Sequence, residues 1–204
     1  MQALPFSPRT HRGVTLPEVL VVFAIASVAA LVSIPTLAEV AAQSTLRSAS
    51  SDVAVLLSRA RNRAAMERRD VGVRWIATPD DLVATTYEDG NENGILSEDI
   101  AHGVDRAVEG PVSMRGRWHG VTFSILPTEF LLDPDGGPVG NVNDPLRFGR
   151  SNICTFGPTG HASPGSLWIS NGKNRQAIVR VSPASGRIQV LEWSTVTGKW
   201  VRRS

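Results

Sequence analysis

Three patterns of hydrophobic and polar positions follow one another along the 204-residue chain. The first is an uninterrupted apolar run. From Val19 to Ala38 no side chain carries a charge, and about 20 such residues make roughly 30 Å of helix, the thickness of a bilayer core. The second is a helical period. In LAEVAAQSTLRSASSDVAVLLSRARNRAAMERRD, the residues Leu46, Val53, Leu56 or Leu57, Ala60 and Ala64 recur on one face. Arg59, Arg61, Arg63, Arg68 and Arg69 mostly fall on its wetter sides. One helix is therefore expected to run from the apolar segment to RRDVG, bent at Pro35 where an internal hydrogen bond is missing. The third pattern has a period of two. VGVRWIA, LVATTYE, GVTFSIL, NICTFG, SLWIS, QAIVRV, RIQVLEW and KWVRR alternate as strands do. The clearest hairpin is RQAIVRVSPASGRIQVLEW, two alternating runs around a Ser-Pro-Ala-Ser-Gly turn. Between Asp133 and Arg150, four Gly and three Pro predict a long loop. A long N-terminal helix laid on an antiparallel sheet is an α+β fold.

Charge adds direction to this picture. Arg9 and Arg12 precede the apolar run, so a membrane-inserted chain would keep that end in the cytoplasm and send its bulk outward. The net charge of +2 hides an asymmetry. Residues 79–144 hold thirteen acids against three arginines, whereas residues 171–204 hold seven bases against one acid, Glu192. The whole-chain balance is thus a poor argument for nucleic acid, and the local patches are a better one. Cys154 is the only cysteine. That excludes an intrachain disulfide and argues against a thiolate metal site; such a residue is expected to be a buried small hydrophobe.

One residue does not fit a plain membrane segment. Glu18 stands at the lip of the apolar run, five residues after Gly13. An unpaired carboxylate entering hydrocarbon costs several kcal/mol, on the order of 3, and neither a secretory signal nor a simple anchor explains it. The stretch GVTLPEVLVVFAIASVAALVSIP resembles the class III leader of type IV pilins and type II secretion pseudopilins. That resemblance implies cleavage by a prepilin peptidase after Gly13 and N-methylation of Val14. It also implies pairing of Glu18 with the N-terminal amine of a neighbouring subunit. Two positions depart from the family's habit: Val14 stands where Phe is usual, and Pro17 precedes Glu18. Pro in a first helical turn removes no bonded N–H. The implied organisation is a leader at 1–13, a transmembrane and filament-core helix at 14–38, its amphipathic continuation at 39–69, and a β-rich periplasmic domain at 70–204.

Toward the C-terminus, NICTFGPTGHASPGSLWIS and QAIVRVSPASGRIQV are similar to the GspH/FimT branch of minor pseudopilins and minor pilins, including its Phe-x-x-x-Gly loop, here Phe156 to Gly160. This implies a structural subunit, anchored in the inner membrane and built with other pilins or pseudopilins into a filament of a type II secretion system or type IV pilus. It is a substrate of an enzyme rather than an enzyme.

Three further features carry candidate chemistry. In EDGNENGILSED, Asp89, Asn91 and Asn93 with Gly94 fit the first half of a calcium loop, but the twelfth position is Ile100 instead of Glu. The competing reading is a tight polar turn at Asn93-Gly94, flanked by strands. His102, His119 and His161 lie in loop-like sequence, and no nucleophile elbow, P-loop or HExxH accompanies them. No cofactor is implied. Finally, Arg187, Lys199, Arg202 and Arg203 with Trp200 could hold phosphates and stack bases, as in FimT-like DNA receptors. The family's Gly-Arg-x-Arg signature lacks its last Arg here, where Gln189 stands. The competing reading is a solvated edge strand with Trp193 and Trp200 in the core.

Overall fold

The computed structural model describes residues 13–78, 81–126, 133–194 and 197–203, with the side chains of 30–37 left aside. The leader 1–12 and Pro79, Asp80 and Glu129 of the acidic stretch lie outside the described residues, and so does the side chain of Pro35, where a bend was expected. The chain is α+β: a long N-terminal helix packs on antiparallel sheets. It divides into two compact units, Met1–Ala41 and Ala42–Ser204.

Helix α1 spans Leu16–Glu67. It stops where Arg68 takes a left-handed conformation (φ 56°), the conformation that commonly ends helices. Within the second unit its apolar face is Leu46, Ala49, Val53, Leu57, Ala60 and Ala64, all buried. The spacing of three and four is what a helix needs to bury one stripe. Leu56, adjacent to the stripe, is buried as well.

Two sheets receive this face. The first has the order β3-β2-β1-β5, from Arg106–Ser113, Leu82–Glu88, Val71–Ala77 and Ile153–Phe156. The second has the order β4-β6-β7-β8-β9, from Leu146–Arg147, Gly165–Ser170, Gln176–Val181, Ile188–Ser194 and Lys199–Arg203. All described pairings are antiparallel. Val71 and Val73 of β1, Cys154 and Phe156 of β5, Leu167 and Ile169 of β6, and Val179 and Val181 of β7 join the helix stripe in one core. Alternation within each strand selects these residues, since every second side chain faces the same way. Cys154 is buried as expected, and its burial pushes the thiol well above its ordinary pKa. On the far face of the second sheet, Ile125, Trp168 and Ile178 form a smaller cluster, flanked by Val139, Trp193 and Trp200.

Four local expectations are corrected. GVTFSIL is not a strand; only Thr122 makes an isolated bridge, to Ser170. The side chain of Gln176 explains this. Its buried amide donates to the carbonyls of Ser124 and Ile169 and accepts from the N–H of Leu126, so a side chain does what a neighbouring strand would. Strand β3 has no strand-like pattern in the sequence, because Gly110-Pro111 interrupts it and most of its residues are exposed. Pro is tolerated there because β3 is an edge. The long loop contains the two-residue strand β4. The segment after the Asp89 loop is a short helix, α2 (Ser97–His102), closed by Gly103 at φ 73°.

Candidate functional site

The N-terminal segment is described from Gly13. A Cβ placed on Gly13 would meet nothing within 4 Å among the described residues. No packing among the described residues therefore calls for glycine at that position. Helix α1 begins three residues later. The carbonyl of Thr15 accepts the N–H groups of Glu18 and Val19 at 3.1 and 3.2 Å. The Glu18 carboxylate lies 3.5 Å from the Thr15 N–H, at the outer limit of a hydrogen bond. Thr15-Leu-Pro-Glu18 therefore shows one half of a capping box, the Glu side chain reaching back to the Thr15 N–H, a role for Glu18 that the spacing Thr-x-x-Glu announces and that the leader resemblance overshadows. The carboxylate is exposed, and so are Val14, Leu16, Leu20, Phe23 and Ile25, each more than 60%. A helix turn this apolar all round needs a nonaqueous neighbour. Among the described residues no helix is long and apolar enough to cross a membrane.

At the other end of the chain, β9 is the outermost strand of the second sheet. Trp200 lies opposite Trp193, with ring centroids 5.4 Å apart, and 5.7 Å from Trp168. Both outer tryptophans are half-buried. Alternation sends Arg202 to the same face as Trp200 and sends Lys199, Val201 and Arg203 to the opposite face. There Arg203 reaches the Glu192 carboxylate at 2.7 Å, and Arg47 of α1 reaches it at 3.1 Å. Arg187 precedes β8, at the end of the hairpin away from Lys199, which pairs with Ser194. At ~3.3 Å per residue the two are on the order of 20 Å apart. The structure therefore gathers Arg202 with the tryptophans, ties Arg203 to a carboxylate on the other face, and sets Arg187 apart.

The Asp89 loop is organised from within. One oxygen of the buried Asp89 carboxylate accepts the N–H groups of Asn91 and Glu92 at 2.9 and 2.8 Å, and the other accepts that of Gly94 at 2.7 Å. Buried Asp105 accepts from Gly90 and Leu96. The Asn91 and Asn93 side chains both turn to Asp99. Among the described residues no group of three or more His, Cys, Asp and Glu side chains is placed to hold a metal ion. Of the histidines, His161 lies in the Phe156–Gly160 turn region, with Nδ1 3.0 Å from the Thr159 hydroxyl. Gly157 makes room for it: a Cβ there would stand 1.9 Å from the ring. Asp70 is held above the ordinary carboxylate range, chiefly by burial, with His161 opposing the shift and Asp89 adding to it.

Residues 8–34 match the family model of the prokaryotic N-terminal methylation motif. No curated protein matches the chain, and no solved structure does. The motif supports a type IV pilin-like or pseudopilin subunit, a structural component rather than an enzyme, processed by a prepilin peptidase and assembled with other pilins.

Proposed function

We propose that the chain is a minor pseudopilin or minor pilin of the GspH/FimT type. It is held in the bacterial inner membrane by residues 14–38, with its C-terminal part in the periplasm, and is incorporated into a filament of a type II secretion system or type IV pilus. The observation that carries this reading is the methylation motif over residues 8–34 leading into a helix with Glu18 in its first turn. Two features support it. No packing among the described residues calls for glycine at position 13, which fits a glycine kept for a peptidase that reads the segment. The exposed apolar side chains that follow need a lipid or protein neighbour.

The experiment is co-expression with a prepilin peptidase and mass spectrometry of the mature chain. The reading requires an N-terminus at Val14 carrying one added methyl group, and requires Gly13→Ala to remain uncleaved. A mature chain starting elsewhere would refute it. A second reading, a pilus DNA receptor, is supported by Arg202 sharing a face with Trp193 and Trp200. It predicts weak, sequence-indifferent and steeply salt-dependent binding of duplex DNA to the full chain in nonionic detergent. Arg202→Glu with Arg203→Glu would abolish that binding. The first reading is preferred because the cations of β9 are divided between two faces.

A further inference from the structure

Two residues that depart from the leader pattern, Val14 and Pro17, lie at the entry to α1. The helix starts at Leu16, and residues 13–15 stand outside it. The Thr15 carbonyl accepts the N–H groups of Glu18 and Val19, so Thr15 is the cap. A helix lengthened backwards by two residues would need two further bonds. One would run from the N–H of residue 18 to the Val14 carbonyl, the other from the N–H of residue 17 to the Gly13 carbonyl. The second cannot form. Residue 17 is Pro, which has no N–H, and its ring would collide with the carbonyl four residues back. That carbonyl belongs to Gly13. Val14 opposes the same lengthening, because a β-branched side chain loses rotamer freedom in a helical turn. Among the described residues, neither the Gly13 nor the Val14 carbonyl accepts a backbone hydrogen bond, and both residues are exposed.

The peptide bond between Gly13 and Val14 is the one that leader removal breaks under the filament-subunit reading, on which the present inference rests. In that hydrolysis water adds to the Gly13 carbonyl carbon and the C–N bond breaks. The leader leaves with a Gly13 carboxylate, and the Val14 nitrogen takes a proton as a free amine. The Gly13 oxygen carries negative charge on the way, and the donors of the peptidase must reach it. A helix running through this bond would occupy that oxygen with the N–H of residue 17. In an apolar medium an unpaired carbonyl is costly, so a chain with an N–H at position 17 would lengthen its helix there.

We propose that Pro17 is a positioning residue for leader removal: it holds the start of α1 at Leu16 and keeps the Gly13 carbonyl out of the helix. It acts by shifting a population and touches none of the reacting atoms. A peptidase that takes the non-helical form meets only the fraction of chains that have it, and its apparent affinity falls by that fraction. Chemistry in the bound form is unchanged. A helix-forming residue at position 17 therefore raises KM and leaves kcat alone.

The test uses the full chain in nonionic detergent with a purified prepilin peptidase, initial rates over a range of chain concentrations, and mass spectrometry of the product. The wild-type product is expected to start at Val14. Pro17→Ala is expected to raise KM about fivefold, the effect of one net hydrogen bond, with kcat unchanged. Pro17→Gly restores the N–H but forms helix poorly, and its KM is expected to fall between the two. Carbon-13 shifts of Gly13 and Val14 in the uncleaved chain are expected to move toward helical values in Pro17→Ala. A wild-type chain cut elsewhere, or not cut, would overturn the filament-subunit reading and this inference together. Wild-type cleavage at Val14 with an unchanged KM in Pro17→Ala would overturn this inference alone. A Pro17→Gly chain no better than Pro17→Ala, or a loss confined to kcat, would replace positioning by direct contact between the ring and the peptidase. Carbon-13 shifts that stay where they are would overturn the proposal even if cleavage slows.

Discussion

Replacing Asp89 by Ala tests what holds the loop between β2 and α2. The carboxylate is 2% exposed and accepts three backbone N–H groups between 2.7 and 2.9 Å. Each hydrogen bond to a charged acceptor contributes ~1.5–3 kcal/mol. Asn91 and Glu92 are exposed, so water recovers part of two of these bonds; the Gly94 N–H, partly buried, recovers less. The expected loss for Asp89→Ala is therefore roughly 3–4 kcal/mol. Asp89→Asn keeps an oxygen for Asn91 and Glu92 but turns an NH₂ toward Gly94, so it should lose about half as much. Urea unfolding of the full chain in nonionic detergent, read by tryptophan fluorescence, measures both. A loss below about 1 kcal/mol for the Ala variant would refute the account, because one net hydrogen bond alone contributes that much. Calcium sharpens the test. An ion held by Asp89, Asn91 and Asn93 would stabilise the fold by ~2.7 kcal/mol at a hundred times its dissociation constant. Both Asp89 oxygens already accept backbone donors, so millimolar calcium should leave the unfolding midpoint unchanged. A calcium-dependent rise in the wild type that Asp89→Ala removes would overturn this reasoning.

Three other perturbations have defined outcomes. Glu18→Ala should still be cleaved after Gly13 but should lose crosslinks to neighbouring filament subunits in cells; wild-type crosslinking yields would sink the pairing role. Leu57→Ala, at a fully buried position of the helix stripe, should destabilise the second unit by ~2–5 kcal/mol in the same urea assay. A loss of a few tenths would mean that the helix face is not core. Asp70 has its pKa raised by burial, so its ionised form is disfavoured in the folded chain. That penalty is absent below the ordinary carboxylate pKa and grows as pH rises through the raised one. Asp70→Asn should therefore flatten the decline of stability with rising pH in the acid range, and a steeper decline would contradict the sign.

The sequence is legible where one periodicity owns a segment. Leu46, Val53, Leu57, Ala60 and Ala64 announce the buried face of α1 because a helix repeats every 3.6 residues and no other element does. LVATTYE and QAIVRV match β2 and β7 residue for residue. Legibility fails where a tertiary partner overrides the local pattern. Arg106–Ser113 contains Gly110-Pro111 and exposes most of its residues, so its strand state exists only through pairing with β2. Ser97–His102 buries no residue and shows no apolar period at all. At the N-terminus, the motif over residues 8–34 is readable because its signal is linear, a spacing of residues along the chain that needs no tertiary partner. At the C-terminus, adjacency in sequence misleads. Arg202 and Arg203 are neighbours in the chain, yet strand alternation puts them on opposite faces, and only Arg203 finds Glu192.

Gln176 gives the segment 121–126 an unusual dependence. Its amide carries one acceptor and two donors, the same complement as a peptide group plus one N–H, and all are engaged with Ser124, Leu126 and Ile169. The segment is thus clamped to the sheet by a side chain rooted in β7, a strand whose own backbone is paired on both sides. Its opening is then governed by the sheet, to which Thr122 and Ser124 also bind through Ser170. In hydrogen-exchange terms, the Leu126 amide should exchange with the slow class of β6 and β7 amides rather than with the fast class of ordinary loops. Gln176→Ala should move that single amide between classes while leaving the exchange of α1 residues 46–64 where it was.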